Sequence, residues 1–362
     1  MSSLLITGGA GFIGSNLVQY ALGHTGDAIV VVDKITYAAN PHSIEAWTKE
    51  PRVTFIQGDI ANRALMEAVV EQHRPRAILN LAAETHVDRS IDSPQAFLDT
   101  NVVGTFTLLE VARRYTRTLA PAERDAFRFL HVSTDEVFGS LGPDGFFSET
   151  TPYAPNSPYS ASKAGADHLV RAYFHTYGLP TLITNCSNNY GPFQHSEKLI
   201  PLTILNALDA RPLPIYGDGG NVRDWLHVED HCEAILQVLS SARPGENYNV
   251  GADNEQRNLA IVDRICAALE ELFPGAHNPA MQTRGIARYA DLKHFVTDRP
   301  GHDRRYAIDA SKLRRDLGWA PRHTFDAGLK ATAQWYLDHR AWYESERVGY
   351  DRGRLGLSTS SV

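Results

Sequence analysis

The chain has 362 residues, with 35 Lys or Arg against 42 Asp or Glu and a formal net charge of −7. A general nucleic-acid binder would carry a basic excess, so this charge argues against that class. Hydrophobic residues make up 43% and charged residues 21%, which is typical of a packed globular protein and excludes a wholly disordered one. The length suits about two domains.

The cysteines and the apolar runs indicate which cellular compartment to expect for the protein. Cys186, Cys232 and Cys266 are few and scattered, which favours a reducing compartment over a disulfide scaffold. The N-terminus shows no basic stretch followed by a long apolar segment, and no apolar run approaches the roughly 20 residues that span a bilayer. We therefore expect a soluble, cytoplasmic protein with no signal peptide.

In chain order, apolar β-rich runs alternate with helical patterns over the first half of the sequence. The apolar runs predict strands at residues 4–7, 28–32, 53–57, 77–81, 129–132 and 179–185. Helical spacing predicts helices at residues 15–22, 61–73, 101–115 and 159–177, and residues 117–125 are expected to form a polar surface loop. The alternation predicts an α/β fold, a Rossmann-type doubly wound parallel sheet.

The pattern changes after about Asn188, where turn residues become dense and helices shorter. We expect a first domain over residues 1–188, to which residues 222–250 return, and a smaller mixed α/β domain over residues 189–350. Residues 351–362 form a polar tail whose end should be frayed.

A glycine-rich loop follows the first predicted strand. Gly8, Gly11 and Gly14 form Gly-x-x-Gly-x-x-Gly ahead of a helix, a pattern that lets backbone N–H groups and the positive end of the helix dipole meet a pyrophosphate. The motif alone is weak evidence. Asp33 strengthens it, because it ends the next strand at about the 20-residue offset of a carboxylate that binds a ribose 2′-OH.

The loop therefore predicts a dinucleotide site, and Asp33 favours NAD over NADP because it would repel a 2′-phosphate. Lys34 beside it weakens that preference slightly. Asp59 ends a later strand, where it could bind an adenine amino group or serve only as a turn residue, with about equal weight. A turn role is also the alternative for Asp33.

Tyr159 and Lys163 lie four residues apart on a predicted helix and so share a face. A neighbouring ammonium and a bound NAD⁺ would favour the phenolate of Tyr159, which could then take a proton from a sugar hydroxyl. Lys163 could also bind the nicotinamide ribose. Two ordinary surface residues are the alternative, which the glycine loop and the preceding Ser133-Thr134 disfavour.

Together these motifs resemble the extended short-chain dehydrogenase/reductase family. The similarity covers nearly the whole chain and rests on residues 7–14, 81–83, 133–134, 159–163 and 189–192. It implies an N-terminal Rossmann domain that holds NAD(P) and a C-terminal domain that holds a nucleotide sugar.

Asp135 and Glu136 directly follow Ser133-Thr134 at the end of a predicted strand. Elimination of water needs one group to take the C5 proton and another to protonate the leaving C6 hydroxyl, and adjacent carboxyls can divide these tasks because like charges separate their pKa values. The resemblance implies Glu136 as base and Asp135 as acid. An acidic turn is the alternative.

Within the family the sequence is most similar to the 4,6-dehydratases that act on dTDP-glucose. This similarity rests on residues 82–90, 134–137, 188–192, 197–201, 214–219, 223–225, 299–303 and 305–309, with Thr85 and Phe138 standing where the family commonly has Ser and Tyr. It implies C4 oxidation, loss of water across C5–C6 and hydride return to C6, with NAD retained throughout. The product would be a 4-keto-6-deoxy sugar nucleotide, a precursor of rhamnose or other deoxysugars of cell-surface polysaccharide or a secondary metabolite.

The resemblance also implies a set of site residues. The catalytic ones are Thr134, Asp135, Glu136, Tyr159 and Lys163. Those expected to bind the cofactor are Gly8, Gly11, Phe12, Ile13, Gly14, Asp33, Lys34, Thr36, Asp59, Ile60, Leu81, Ala82, Ala83, Thr100, Tyr159, Lys163 and Asn189. Those expected to bind the substrate are Thr85, Thr134, Asn188, Lys198, Leu199, Pro214, Tyr216, Arg223, Asn258, Arg299 and His302.

Among these, Lys198 and Arg223 suit a diphosphate, whereas Tyr216 and Leu199 could flank a base. His86 is expected to be structural, and Asp88 and Arg89 to form an internal ion pair. The fifteen histidines show no zinc-like clustering along the sequence, so no metal is predicted.

A nucleotide-sugar 4-epimerase and a non-catalytic NAD-sensing regulator remain as competing functions. The epimerase shares the glycine loop and the Tyr159–Lys163 pair but does not need Asp135 and Glu136. The resemblance further suggests a homodimer built on a four-helix bundle of residues 101–115 and 159–177, with Tyr173 and Phe174 partly exposed in a monomer. The expected partner is a nucleotide sugar, with no nucleic acid and no membrane.

Overall fold

A central parallel sheet organises the first half of the chain in the computed structural model, which describes residues 2–39, 41–298, 301–344 and 352. Its seven strands run in the order β3-β2-β1-β4-β5-β6-β10, and every neighbouring pair is parallel. They are β1 (Ser3–Thr7), β2 (Ala28–Asp33), β3 (Val53–Gln57), β4 (Ala77–Asn80), β5 (Arg128–Thr134), β6 (Thr181–Cys186) and β10 (Asn247–Val250). The predicted Rossmann-type fold class is confirmed.

Helices connect and flank these strands and the smaller sheets that follow. They are α1 (Phe12–His24), α2 (Pro41–Thr48), α3 (Arg63–His73), α4 (Val87–Asp92), α5 (Pro94–Phe97), α6 (Thr105–Thr118), α7 (Pro121–Ala126), α8 (Pro158–Tyr177), α9 (Leu199–Leu208), α10 (Val228–Ser241), α11 (Asn258–Leu272), α12 (Pro279–Thr283), α13 (Ser311–Leu317), α14 (Phe325–Asp338) and α15 (Arg340–Glu344). A π-helix spans Leu98–Gly104, and 3₁₀ turns span Asp135–Phe138, Gly275–His277 and Tyr289–Leu292.

Both faces of the large sheet are covered, which explains its apolar strands. Successive side chains of a strand point to opposite faces, so Leu4 and Ile6 pack with α1 and α10 while Leu5 packs with α3, α6 and α8. Polar groups gather instead at the carboxyl ends of the strands, where ligands bind in such sheets.

The later part of the chain builds a second core from short strands and several helices. The sheets are β11-β9-β7 and β12-β8, made of β7 (Asn188–Tyr190), β8 (Leu213–Tyr216), β9 (Val222–His227), β11 (Glu255–Arg257) and β12 (Lys293–Val296). Their apolar residues pack with α9, α11 and α14. Within this stretch β10 is a strand of the large sheet and α10 packs against that sheet, so the chain returns to it after residue 222. The division at residue 188 stays a prediction.

Residues 117–125 are not the loop that we predicted. Helix α6 continues to Thr118, and α7 begins at Pro121, where a proline suits the first turn because its missing N–H needs no partner there. The Glu123 carboxylate accepts a hydrogen bond of 3.1 Å from the Ala120 backbone N–H. This cap makes a helix from a segment whose polarity alone suggested a loop.

Strand β6 begins at Thr181 rather than at the predicted residue 179. Gly178 ends α8 in the left-handed conformation, with φ of 67°, and Pro180 cannot donate a ladder hydrogen bond. In the described part of the chain, no helix is long and apolar enough to cross a membrane. The predicted polar tail lies outside the described residues, apart from Arg352.

Candidate active site

A cavity opens where the parallel strands end, and the predicted residues meet there. Its lining includes every residue expected to bind the cofactor, all five expected to be catalytic, and four of those expected to bind the substrate, namely Thr85, Thr134, Asn188 and Lys198. Residues from β1, β2, β4, β5 and β6 thus converge although they are far apart in the sequence.

The glycine loop forms one wall because its backbone approaches other backbone closely. A Cβ added at Gly8, whose φ is 72°, would lie 2.6 Å from the Ala82 nitrogen, and one added at Gly14 would lie 2.1 Å from the Gly8 oxygen. Gly11 precedes α1, so the free N–H groups of the first helical turn border the cavity. This arrangement fits a pyrophosphate.

Asp33 ends β2 beside this loop. Its carboxylate accepts hydrogen bonds from the backbone N–H groups of Ala10, at 3.0 Å, and Ile35, at 2.8 Å. Burial raises its pKa, although the two backbone hydrogen bonds oppose the shift. A carboxylate fixed in this way fits a ribose hydroxyl pair, so the residues present suit an NAD cofactor.

Two other candidates along this wall have protein partners of their own. The Lys34 ammonium donates to the Thr100 hydroxyl at 2.7 Å and pairs with Glu84 at 3.3 Å. Asp59 lines the cavity, and its carboxylate also accepts from the Ala61 backbone N–H at 2.8 Å. Asp59 therefore combines the turn role with a position suited to ligand binding.

Tyr159 is 7% exposed and faces the cavity from the first turn of α8. Its pKa lies well above the ordinary value, first because the phenol is buried and second because Glu136 is near, while a hydrogen bond with Thr134 opposes the shift. The largest influences on this pKa do not include Lys163, whose ammonium donates to the Val132 carbonyl at 2.8 Å. The expected phenolate thus needs a further positive charge.

Asp135 and Glu136 stand next to each other with different surroundings. Asp135 is 1% exposed, and one carboxyl oxygen, Oδ2, is buried with no hydrogen-bond partner. Burial and then the neighbouring Glu136 raise the pKa of Asp135 well above its usual range, which favours its protonated form. Glu136 is only partly buried. The pair therefore offers an acid and a separate carboxylate, as elimination requires.

The remaining substrate candidates lie outside the cavity lining. They are Leu199, Pro214, Tyr216, Arg223, Asn258 and His302, while Arg299 lies outside the described residues. Tyr216 and His302 contact each other edge to face, with centroids 6.3 Å apart. Arg223 is buried against Tyr306, 4.2 Å from its ring centre, yet its charge still lowers the pKa of Asp135.

Several cavity residues were missed by sequence reasoning, namely Ser133, Cys186, Ser187, Gln194, His195 and Glu197. Their position just after β5, β6 and β7 was the available signal. Glu197 also corrects a prediction, because Arg89 pairs with it at 3.0 Å rather than with Asp88. The Arg89 guanidinium in turn lies 3.8 Å above the Tyr37 ring.

Histidines do cluster in space, which the sequence pattern did not predict. Donor atoms of His227, Glu229 and His323 all lie within 4.8 Å of one another. The two imidazole rings stack with centroids 4.0 Å apart, and His323 Nδ1 lies 2.9 Å from Asp230. The three residues thus offer one ligand atom each at a place where the sequence pattern predicted no metal.

Comparison with known proteins gives concordant results. The model of the family described as GDP-mannose 4,6 dehydratase matches residues 5–332. The chain is 57% identical to a dTDP-glucose 4,6-dehydratase of Neisseria meningitidis serogroup B over 98% of this chain and 99% of that protein. It is 54% identical to the dTDP-glucose 4,6-dehydratase of Xanthomonas campestris over 99% of this chain and the whole of that one.

Solved structures show the same similarity. The dTDP-glucose 4,6-dehydratase of Bacillus anthracis, in complex with NAD, has a TM-score of 0.83 and 44% identity over 96% of this chain and all of that one. The UDP-glucose 4-epimerase of Thermus thermophilus, also in complex with NAD, has a TM-score of 0.79 but only 26% identity, over 93% of this chain and 99% of that chain.

Proposed function

The chain belongs to the GDP-mannose 4,6 dehydratase family and, within it, to the dTDP-glucose 4,6-dehydratases, and on this basis we propose how its residues divide the reaction. The enzyme is an NAD-dependent hydro-lyase that converts dTDP-glucose into dTDP-4-keto-6-deoxyglucose. The observation that carries the assignment of residues is that Asp135, Glu136 and Tyr159 share one cavity with the glycine loop.

The glycine loop and Asp33 would hold the cofactor. When bound, NAD⁺ supplies a hydride acceptor for the sugar C4 and later a hydride donor for C6. The N–H groups at the start of α1 would bind its pyrophosphate, and Asp33 its ribose, while Tyr159 and Lys163 border the end nearer the carboxylates.

Tyr159 would begin the reaction by taking the proton of the 4-hydroxyl group. Because the pKa of Tyr159 is raised, its phenolate would form only when the positively charged cofactor is present to stabilise it. The hydrogen bond with Thr134 would stabilise the phenolate further. The 4-ketone that results acidifies the hydrogen at C5.

The two carboxyl groups would then carry out the elimination. Glu136 takes the C5 proton, and Asp135 gives its proton to the C6 oxygen, which leaves as water. Glu136 afterwards returns a proton to C5 as the hydride returns to C6. The raised pKa of Asp135, which favours its protonated form, supports its role as the acid.

The nucleotide would extend from this cavity toward the second core. Lys198 lines the cavity, and its ammonium donates to the Thr85 carbonyl at 3.2 Å. Leu199 begins the adjoining α9, and β8, which also carries Pro214 and Tyr216, buries Leu213 and Ile215 in the same core as that helix. We propose that Lys198 and Arg223 bind the diphosphate, that Leu199 and Tyr216 flank the base, and that Asn188, Asn258, Arg299 and His302 complete the site.

Product analysis tests this function. The purified protein, incubated with dTDP-glucose, should yield a product that has lost one water and absorbs in strong alkali as a 4-keto sugar. Matched incubations with UDP-, CDP- and GDP-hexoses define the base that it accepts. An isomeric hexose without loss of mass would instead identify a 4-epimerase, and no turnover of any hexose would favour a regulator.

We further propose a cytoplasmic homodimer that feeds a deoxysugar pathway, such as that of rhamnose for a cell-surface polysaccharide. Leu98, Val103 and Phe106 are 48%, 47% and 46% exposed along the π-helix and α6, which supports a contact with a second copy. Of the two aromatic residues that we expected to be exposed, Tyr173 is buried and donates to Glu110 at 2.7 Å. The three cysteines are free and buried, which suits a reducing compartment.

A further inference from the structure

Helix α8 aligns three ionisable residues on one buried face. Tyr159, Lys163 and Asp167 are spaced by four residues each, and they are 7%, 3% and 1% exposed. The first two belong to the proposed reaction, whereas Asp167 lies one turn farther from the cavity and does not line it. The mechanism so far gives this buried carboxylate no task.

Asp167 is held in place from three directions. Its Oδ2 atom accepts hydrogen bonds from the Ser133 hydroxyl at 2.7 Å, the Tyr153 hydroxyl at 3.0 Å and the Asn185 amide at 3.3 Å. These donors come from β5, the segment before α8, and β6. Three donors on one oxygen favour the ionised carboxylate.

His131 lies between Asp167 and Lys163. Its Nε2 atom is 3.4 Å from the Lys163 ammonium and 3.4 Å from Oδ1 of Asp167. Its Nδ1 atom lies 3.1 Å from the Asn80 amide nitrogen, so both ring nitrogens have polar neighbours. Burial and Lys163 keep the pKa of His131 well below its usual value, which leaves this ring neutral.

The buried ammonium of Lys163 therefore has one compensating charge. Burial lowers its pKa, and Asp167 is the largest opposing influence. Conversely, burial raises the pKa of Asp167, and Lys163 is the largest opposing influence there. The other titratable group that faces Lys163 from β6 is Cys186, whose pKa burial raises to about 12, so it stays a neutral thiol. Tyr153, the remaining neighbour of Asp167, is likewise a neutral phenol because burial raises its pKa.

We propose that Asp167 is a positioning residue for the reaction, because its fixed carboxylate holds Lys163 in the ammonium form beside Tyr159 and so sets the pH range over which the sugar is oxidised. The inference rests on the proposed roles of Tyr159 and Lys163. It extends the Tyr159–Lys163 pair to a triad in which only the first two residues approach ligands.

The test replaces Asp167 by Asn and measures single-turnover C4 oxidation, followed as cofactor reduction, from about pH 6 to about pH 10. Loss of a nearby opposite charge shifts a pKa by about 1–3 units, so the pH at which the rate falls on the alkaline side (the alkaline limb of the rate profile) should move down by a comparable interval. The rate should approach the wild-type rate at the acidic end and fall at least about tenfold at the alkaline end. Asp167→Glu, which restores the charge, should return the limb toward its original position.

A second measurement needs neither cofactor nor substrate. Without Asp167, folding the buried lysine requires loss of its proton, which becomes easier as pH rises toward the unfolded-state pKa of about 10.4. The melting-temperature deficit of Asp167→Asn should therefore shrink between about pH 6 and about pH 9. Should this variant fail to fold, Tyr153→Phe removes one donor from Oδ2 and should move the alkaline limb in the same direction by less.

An alkaline limb that stays in place in Asp167→Asn, with the rate reduced equally at every pH, would assign Asp167 a purely structural role and overturn the proposal. If Asp167→Asn cannot be purified, an unchanged alkaline limb in the rate profile of Tyr153→Phe would overturn the proposal instead. The dehydration assay of the wild-type protein tests the proposed function separately. If the wild-type protein releases water from dTDP-glucose, the proposed function stands even when the variants contradict the role of Asp167.

Discussion

At the scale of single residues, burial divides the work of two adjacent carboxyl groups. Asp135 is enclosed, and one of its oxygens has no hydrogen-bond partner, whereas Glu136 is partly open to the cavity. Burial therefore favours the protonated form of Asp135. We expect the two neighbours in sequence to take opposite chemical tasks for this reason.

Replacing Glu136 by Gln should stop the reaction after oxidation. Size and hydrogen bonding are kept, so C4 oxidation should survive, but exchange of the C5 hydrogen with solvent should fall by about 10²–10⁴-fold, as for loss of a general base. Deuterium incorporation at C5, measured beside cofactor reduction, checks this. The matched variant Asp135→Asn should keep C5 exchange and slow the loss of water instead. Near wild-type dehydration by Glu136→Gln would make Glu136 a structural carboxylate.

Replacing Tyr159 by Phe should act one step earlier. The ring and its packing against Phe97 remain, but no group accepts the 4-hydroxyl proton, so reduced cofactor should not accumulate in a single turnover and the rate should fall by about 10²–10⁴-fold. Stopped-flow absorbance of the reduced cofactor provides the measurement. Oxidation at the wild-type rate would show that another group is the base.

The raised pKa of Asp135 also predicts a pH effect on stability. A buried acid whose folded pKa exceeds its unfolded value, near 3.9, binds more protons when folded, so it costs stability as pH rises from about 4 toward the folded pKa. Asp135→Asn lacks this cost and should melt at a higher temperature than wild type, by a margin that grows with pH over that interval. Parallel melting curves against pH would contradict the shift.

At the scale of elements, we expect α8 to serve both catalysis and packing because its faces differ. One face holds Tyr159, Lys163 and Asp167 against β5 and β6, and another packs with the π-helix and α6. The π-helix and α6 leave Leu98, Val103 and Phe106 exposed. We expect this exposed apolar row to be covered by a second copy of the chain.

Replacing Phe106 by Glu should therefore weaken the dimer. A charge placed in an apolar contact loses hydration without gaining a partner, so light scattering at micromolar concentration should show a shift toward the 40.1 kDa monomer. Phe295→Glu, at a residue that is 55% exposed on β12, is the matched control and should leave the mass unchanged. A wild-type protein that is monomeric at this concentration removes the prediction.

At the scale of the whole molecule, the sequence predicts the first half better than the second. Apart from the edge strand β3, the strands of the large sheet are buried on both faces, so they stand out as apolar runs. The residues at the strand ends share one cavity by topology. Tyr216, Arg223 and His302 belong to short strands and turns, and Asn258 begins α11; the placement of these segments depends on tertiary packing. Their motifs could be recognised in the sequence, but the distance of these residues from Tyr159 could not be predicted from it.

Long-range pairings explain the other differences. Arg89 joins Glu197 rather than its neighbour Asp88, and Lys163 donates to Val132 on β5. Partners that are distant in the chain leave no local pattern. The same holds for Asp167, because Ser133, Tyr153 and Asn185 lie on three separate segments and only the fold brings them to one oxygen atom.

The return of the chain to its first sheet has a consequence for synthesis on the ribosome. Every residue of β6 is buried, yet its outer neighbour β10 and the covering helix α10 are translated only after residue 222. Until then β6 would present a bare apolar edge, which invites pairing with other nascent chains. Translation must therefore pass residue 250 before the nucleotide-binding half can close, and a fragment that ends at residue 188 would be prone to aggregate.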